Sequence, residues 1–456
     1  MSSALANRTE PRVTARFRLP LSSSTLFGGA TVILLAAPLA FGAVQPWAIF
    51  LLESTASALL LAWAYRQWQN QEIKIAWQPL YAPMLAFGAL IALQWITGIT
   101  AYREVTYSLL LLYVCYGMLV FIATQTLRRS SQVRVLAKVV CVYGLILSSF
   151  SLLQGIAPNG KLYWIWPLEQ GGLIYGPYVN HNHYAGLMEM LTPFPLVLAL
   201  SRHTEGNRKL IVAGIAAVMA GTIFLSGSRG GMLAFAAEVI VLAILLRKRG
   251  DWQQPLALGV FLAVMIGFLI WLGGNELTRR LVSIQSEAHQ ELTGGVRFTI
   301  DRDCLRMFRH RPFLGWGLGA FPIVYPQFRS FYTSFFVNEA HNDYLQLLVE
   351  TGIPGFGLAI WFLVITFRGA RTKLKNWTET INGTVTVAAI LGCTGILVHS
   401  FLDFNLQIPA NAALFYVLCG IAAAPAFQES QRRKSRRYNL ILEPGIREQD
   451  IRPSES

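Results

Sequence analysis

Charge is scarce in this sequence. Only 14% of its 456 residues are charged, whereas 54% are hydrophobic, and the mean hydropathy is +0.45. One soluble core of this length could not bury so much apolar surface. The composition therefore excludes an ordinary soluble protein and predicts an all-α integral membrane protein with several transmembrane helices.

Cysteine and cofactor motifs are also few. The five cysteines are scattered, four of them inside apolar segments, and none has metal-ligand spacing. The sequence also has no nucleotide-binding motif. Because metal-ligand spacing is absent as well, we expect no metal and no cofactor. There is no repeat of solenoid period. The net charge of +14 is spread over loops and forms no basic domain, so we expect no nucleic-acid partner.

Long apolar runs are abundant. About 18 or more mostly apolar residues are needed to cross the hydrocarbon core as a helix. The first run is about this long and a second follows at once, so we interpret it as a retained span and not as a signal peptide. The sequence predicts twelve spans, at 25–44, 46–65, 79–98, 107–127, 133–155, 183–201, 209–227, 230–247, 255–273, 344–367, 382–403 and 409–427.

The basic residues predict the orientation of these spans. Lys and Arg in short loops are retained on the cytoplasmic side. If the N-terminus is cytoplasmic, 27 of the 38 basic residues lie on that side, and eight of the other 11 lie in one long loop. The predicted layout is a cytoplasmic N-terminal tail at 1–24, nine spans within 25–273, a non-cytoplasmic loop at 274–343, three spans within 344–427 and a basic cytoplasmic tail at 428–456.

The long loop has two features of its own. Residues 297–309 have helical spacing, with Ile300 and Cys304 on one face and arginines on another, which predicts an amphipathic helix on a membrane surface or over a cavity. Residues 311–319 combine Pro with repeated Gly and aromatic residues. We expect a flexible aromatic turn there.

His341 is the first candidate for catalysis. It stands in the segment 340–352, at the mouth of predicted span ten, and is followed by Asn342. Imidazole can take a proton near neutrality, and an idle polar group is disfavoured at the membrane, so His341 is a candidate general base. The alternative is a capping or hydrogen-bonded histidine at a helix start.

Arg229 is the first candidate for anion binding. It lies in a short glycine- and serine-rich turn between predicted spans seven and eight. The guanidinium fork matches phosphate or carboxylate oxygens, and the next helix would begin beside it. The alternatives are snorkelling to the interface or an ion pair with Asp403 or Glu339.

Two further arginines belong to the long loop. Arg297 follows two glycines and is a second anion-binding candidate, with a solvated loop charge as the alternative. Arg302 lies on the basic face of the predicted helix, where charges usually face solvent or headgroups. We keep Arg302 as a supporting candidate.

Polar groups near other span ends complete the candidate site. Asn180 precedes span six in the sequence Asn-His-Asn-His-Tyr, which could cap the helix or line a polar mouth. Asp403 ends span eleven and could orient His341, pair with an arginine or face water. The predicted topology places Asn180, Arg229, Arg297, His341 and Asp403 on one side of the membrane, where they could line one cavity. A base with arginines suits a substrate whose leaving group is an activated phosphate.

Three segments together resemble the O-antigen ligase and polymerase superfamily. They are His341-Asn342 followed after nine residues by Gly-Ile-Pro-Gly, the Ser-Arg-Gly-Gly-Met-Leu segment around Arg229, and the Pro-Phe-Leu-Gly-Trp-Gly-Leu-Gly segment at 312–319. The resemblance covers about residues 175–408. The segment at 180–183 is similar to polymerase-like members.

The resemblance implies a GT-C-like, inverting and metal-independent glycosyltransferase in the bacterial inner membrane. Such enzymes transfer a glycan from undecaprenyl diphosphate to an acceptor hydroxyl on the periplasmic side, the acceptor being lipid A-core for a ligase or a lipid-linked glycan for a polymerase. His341 would be the base, and Arg229 and Arg297 would bind the diphosphate. A transporter or flippase of lipid-linked glycans and a non-catalytic membrane scaffold are the alternatives. A transporter would be expected to have midplane ionisable residues and repeated halves.

Overall fold

The computed structural model describes residues 22–167, 173–247, 253–267, 294–333 and 336–425. Residues 1–21 of the predicted N-terminal tail, the whole predicted C-terminal tail and residues 274–293 of the predicted loop lie outside the described residues. Within them, the strands are β1 (Lys161–Leu162) and β2 (Trp166–Pro167), which form an antiparallel pair with Lys161 opposite Pro167. All other regular elements described are helical, so the all-α prediction agrees with the structure apart from this hairpin.

Fifteen α-helices are described. They are α1 (Ser23–Leu39), α2 (Pro46–Gln69), α3 (Tyr81–Thr97), α4 (Arg103–Thr126), α5 (Ser130–Ile156), α6 (His181–Leu191), α7 (Pro193–Leu200), α8 (Asn207–Leu225), α9 (Arg229–Arg247), α10 (Gln253–Gly267), α11 (Gly294–His310), α12 (Phe321–Val324), α13 (Asp343–Arg371), α14 (Ile381–His399) and α15 (Pro409–Ala423). Short 3₁₀ turns lie at Phe41–Ala43, Tyr325–Gln327 and Asn405–Gln407.

A helix occupies each of the twelve predicted spans. Seven of these helices, namely α2, α4, α5, α8, α9, α13 and α14, are long and apolar enough to cross a membrane. Another four, α1, α3, α10 and α15, are apolar but only 10–17 residues long. Predicted span six is divided into α6 and α7, because Pro193 lacks the N–H that would continue the helix. The described part of the chain is therefore a helical membrane protein, and the count of twelve spans stays a prediction.

Helix α14 lies at the centre of the bundle. Its most apolar 18-residue window is 83% buried, against 17–44% for the other candidate spans. It packs against α5, α6, α7, α9, α13 and α15. Small residues permit this close packing, since a Cβ on Gly392 would press into the backbone of Met190 and a Cβ on Gly395 would overlap Glu238.

The described part of the long loop has a small hydrophobic core of its own. As predicted, α11 is amphipathic: Ile300 and Cys304 are fully buried, whereas Arg302 is exposed. Residues of this loop, among them Phe321 and Ala340, pack with Val349 of α13. This small core therefore packs against the start of α13. It also fixes the position of His341, which follows Ala340 in the sequence.

The turn at 311–319 packs against α13, in contrast to the flexible turn that the sequence predicted. Helix α13 is interrupted at Gly352, and the turn binds there: Trp316 N–H donates to the carbonyl of Val349 (3.0 Å), and Ile353 N–H donates to that of Pro312 (2.9 Å). The buried Gln94 side chain of α3 donates to the carbonyls of Leu314 and Glu350, at 2.6 and 2.9 Å. The turn's repeated glycines permit close packing against α13 instead of mobility.

Candidate functional site

Four helix ends meet at one end of the bundle. The starts of α6, α9 and α13 lie beside the end of α14. The Nδ1–H of His181, in α6, donates to the carbonyl of Ser226, just before α9 (2.7 Å). The N–H of Asp343, in α13, donates to the carbonyl of Ser400, just after α14 (2.9 Å). The segments carrying the predicted site residues are therefore brought together.

His341 lies immediately before α13. Its backbone has a φ of 54°, a left-handed value that is uncommon for residues other than glycine and is often found at functional sites. The next residue, Asn342, caps the helix by accepting a hydrogen bond from Leu345 N–H (3.2 Å). The His341 side chain is 19% exposed, so it can be reached from solvent while its orientation is restricted.

Asp403 faces His341. Its Oδ1 lies 3.4 Å from Nδ1 of His341, an ion-pair distance that is longer than a well-formed hydrogen bond. Burial favours a higher pKa for Asp403, but the contact with His341, with the charges of His341, His183 and Arg297, outweighs burial and holds the pKa well below its usual range. Asp403 is therefore a buried carboxylate that remains ionised. The contact with His341 is the one that the first of the three sequence-based alternatives requires, and the orienting role of Asp403 stays a prediction.

An aromatic ring separates two histidines at this site. Phe404 contacts His341 with ring centroids 4.9 Å apart and contacts His183 at 4.7 Å, edge to face in both cases. His183 is buried and lies 3.3 Å, Nδ1 to Oδ1, from Asn405. These contacts restrict the orientation of the His341 ring from the side of α6.

Arg297 binds the same segment. Its Nη1 donates to the carbonyl of Leu402 (2.8 Å), the residue before Asp403. Its Nε is buried and has no hydrogen-bond partner in the described structure. The guanidinium is thus anchored at one nitrogen and retains donors for an anion.

Arg229 is the first residue of α9 and is exposed. Ser228 accepts a hydrogen bond from Gly231 N–H (3.1 Å), which fixes the first turn of the helix. Gly230 lies directly against the ring of His399, the last residue of α14 and four residues before Asp403. The helix start that carries Arg229 is therefore next to the segment that contacts Arg297 and His341.

The remaining predicted residues have supporting positions. Asn180 caps α6 by accepting from Asn182 N–H (2.8 Å), as one of its two alternatives predicted. Glu339 accepts a hydrogen bond from Gln346, and burial raises its pKa to about 8. Arg302 is exposed on α11 and has no ion pair or hydrogen bond among the described residues.

Several site residues were missed from the sequence. Asp301 accepts a long hydrogen bond from Asn342 Nδ2 (3.5 Å), and burial raises its pKa. Asp343 accepts from Ser400 Oγ at 2.8 Å. Glu189 accepts from His399 Nδ1 at 2.8 Å, with both side chains fully buried. A carboxylate inside an apolar span is costly unless it has a purpose, so Glu189 could have been identified from that signal.

No group of three or more His, Cys, Asp or Glu side chains in the described residues has an arrangement that could hold a metal ion.

Comparison with known proteins identifies one similar family. Residues 214–360 match the family model of O-antigen ligase. The matched range contains Arg229, Arg297 and His341, and ends before Asp403. A search of curated proteins finds no match. This match supports the resemblance of the chain to the O-antigen ligase and polymerase superfamily.

Proposed function

We propose that this protein is a membrane glycosyltransferase that moves a glycan from undecaprenyl diphosphate to an acceptor hydroxyl at the periplasmic face of the bacterial inner membrane. One observation carries the proposal: His341 faces a buried, ionised Asp403, and Arg297 binds the residue before that aspartate. The candidate base and the candidate phosphate-binding arginine, both within the range that matches the O-antigen ligase model, thus contact one short segment at Leu402 and Asp403.

In the proposed reaction, His341 is the general base. Because Nδ1 faces Asp403, Nε2 is the nitrogen that takes the proton of the acceptor hydroxyl. The acceptor oxygen forms a bond to the anomeric carbon, and the bond from that carbon to the diphosphate oxygen breaks. Asp403 stabilises the imidazolium that forms and holds the ring in place. One displacement of this kind inverts the anomeric centre.

The arginines neutralise the leaving group. Diphosphate leaves with the electrons of the broken bond, so positive donors near its oxygens lower the barrier. Arg297, anchored through Nη1 beside Asp403, and Arg229, exposed at a helix N-terminus, are the residues we assign to this role. The step as written requires no metal or cofactor, and its acceptor is lipid A-core or a second lipid-linked glycan.

Transport of lipid-linked glycans is the second candidate, and one observation favours it. Glu189 and Glu238 are fully buried within the bundle, and ionisable residues inside membrane domains often mark transport pathways. An assay in detergent distinguishes the two functions, because glycan transfer can proceed there but transport between compartments cannot. Product formation by solubilised protein would therefore support the transferase.

The decisive experiment replaces His341 with alanine. We expect His341→Ala to lower transfer from an undecaprenyl diphosphate-linked glycan by about 10²–10⁴-fold, the usual contribution of a general base. His310, an exposed histidine at the end of α11, provides the matched control, and His310→Ala should transfer as the wild type does.

Two results would contradict the proposal. Wild-type transfer by the folded His341→Ala protein would leave His341 with a capping role only. Loss of wild-type transfer in the presence of EDTA would contradict the metal-independent step.

A further inference from the structure

A buried ion pair lies directly beneath the proposed site. His399 Nδ1 is 2.8 Å from Glu189 Oε1, and the two side chains are 1% and 0% exposed. Burying such a pair has a large desolvation cost, and an apolar pair of similar volume is often at least as stable. Stability alone therefore gives little reason for this pair inside the bundle.

The His399 ring supports the helix start that carries Arg229. It occupies the space where a side chain on Gly230 would be, so a Cβ at that position would overlap the Cδ2 and Nε2 atoms of the ring. Glycine at position 230 is thus required by the ring and not by the backbone, because Gly230 has no positive φ. The orientation of the ring sets how closely α9 approaches α14.

The backbone of His399 supports the other half of the site. Its carbonyl accepts hydrogen bonds from the N–H groups of Leu402 (2.8 Å) and Asp403 (3.1 Å). Leu402 in turn accepts from Arg297, and Asp403 faces His341. One residue therefore contacts the segments of both arginines and of the base.

We propose that His399, fixed by Glu189, is a positioning residue that sets the distance between the diphosphate-binding arginines and the His341–Asp403 pair. This inference rests on the proposed function, since it concerns the same transfer reaction. Neither Glu189 nor His399 touches the substrate in this scheme. The bond from Glu189 fixes the ring, the ring fixes the first turn of α9, and the carbonyl of His399 fixes the turn that carries Asp403.

The expected loss of transfer activity follows from the need to align the reacting groups. A misplacement of about 1 Å between reacting groups can cost about 10²-fold in rate. Gly230→Ala should therefore lower transfer by about 10²-fold per folded molecule. Alanine favours helix more than glycine does, so loss of helix propensity cannot explain the effect. Gly214→Ala is the matched control, because nothing lies within 4 Å of a Cβ at that position of α8.

A double-mutant cycle tests the contact. His399→Ala should lower transfer as well, but it removes the ring that Gly230→Ala would overlap. We expect the double variant Gly230→Ala with His399→Ala to be no less active than His399→Ala alone. Independent, additive losses in the double variant would overturn the proposal, because the two residues would then not act through one contact.

Variants of Glu189 test the hydrogen bond. The amide oxygen of Glu189→Gln can still accept from His399 Nδ1–H, so we expect this variant to retain most of the transfer activity, whereas Glu189→Ala should lose it. Both measurements use kcat and the donor KM per folded molecule, with thermal unfolding recorded in parallel. A purely structural pair would change the yield or the unfolding temperature while leaving kcat and KM unchanged, which would also overturn the proposal.

Failure of the inference differs from failure of the proposed function. If the protein is not a transferase, wild-type protein forms no product and His341→Ala changes nothing. If only the positioning role is wrong, wild-type protein transfers glycan, His341→Ala transfers about 10²–10⁴-fold less, and Gly230→Ala is as active as Gly214→Ala.

Discussion

Arg229 is exposed at the start of α9, where either a point charge or a planar fork of donors could interact with an anion. The proposed diphosphate contact requires the fork, because parallel N–H groups match two phosphate oxygens. We expect Arg229→Ala to lower transfer by about 10²-fold, the usual cost of losing a transition-state donor, and Arg229→Lys to lower it nearly as much. Full activity in the lysine variant would indicate an interfacial anchor and would contradict a bidentate contact.

Glu339 gives a pH-dependent prediction. Burial raises its pKa from 4.5 to about 8, so the folded protein holds this proton more tightly than the unfolded chain does. The resulting stabilisation is fully present below about pH 4.5 and is lost as the pH rises through about 8. Glu339→Gln can keep the bond from Gln346 without the proton. The unfolding temperature of wild-type protein should therefore fall more between about pH 5 and about pH 9 than that of the variant; equal falls would contradict the raised pKa.

The sequence indicates some of these residues and not others. His341 and Arg229 could be named because polar side chains at the ends of apolar segments are costly without a purpose, and Arg297 because it follows two glycines in the long loop. The contact between Glu189 and His399 joins residues 210 positions apart and depends on how α6 packs against α14. Residue types alone contain no information about that packing.

The interruption of α13 at Gly352 determines how the turn at 311–319 docks. Gly352 has φ 66° and ψ −167°, a conformation that is essentially restricted to glycine, and a Cβ there would overlap the carbonyl of Phe313. We expect Gly352→Ala to destabilise the protein by about 1–3 kcal/mol from the backbone alone and to lower transfer, because the loop that carries His341 would move.

The same helix provides the control for that prediction. Nothing lies within 4 Å of a Cβ on Gly357, so Gly357→Ala should leave both stability and transfer close to wild type. Thermal unfolding and the transfer assay would be measured on both variants. Equal behaviour of the two alanine variants would mean that the docked turn has no part in holding the site.

The helices of the predicted spans could be predicted because the length of each apolar run is enough to indicate a membrane-spanning helix. Pro193 alone could have predicted the division between α6 and α7. It was overlooked because the apolar run continues across it. The turn at 311–319 was predicted to be flexible because Pro and Gly break regular structure locally. Its actual partners are Gln94, more than 200 residues earlier, and the break in α13, so local composition could not reveal that the turn is docked.

The whole bundle has one polar, site-bearing end and one basic end. Helices α9 and α13 begin at the site and end at Arg247 and Arg371. At that opposite end, Arg202 N–H donates to the carbonyl of Thr378 (2.9 Å), and Lys373 Nζ donates to the last carbonyls of α15. Among the described residues, the basic connections near Arg202, Arg247 and Arg371 therefore lie at the end of the bundle opposite the site.

This arrangement predicts the topology, because Lys and Arg in short loops are retained in the cytoplasm. A phosphatase reporter fused after Arg249 should be inactive, whereas one fused after His310, on the side of His341, should be active in the periplasm. A fluorescent protein that folds only in the cytoplasm should give the opposite result at both positions. The site would then face the compartment in which lipid-linked glycans are joined to their acceptors in the proposed reaction. Phosphatase activity from the fusion after Arg249 would reverse this orientation and place His341 on the cytoplasmic side, which the proposed reaction does not allow.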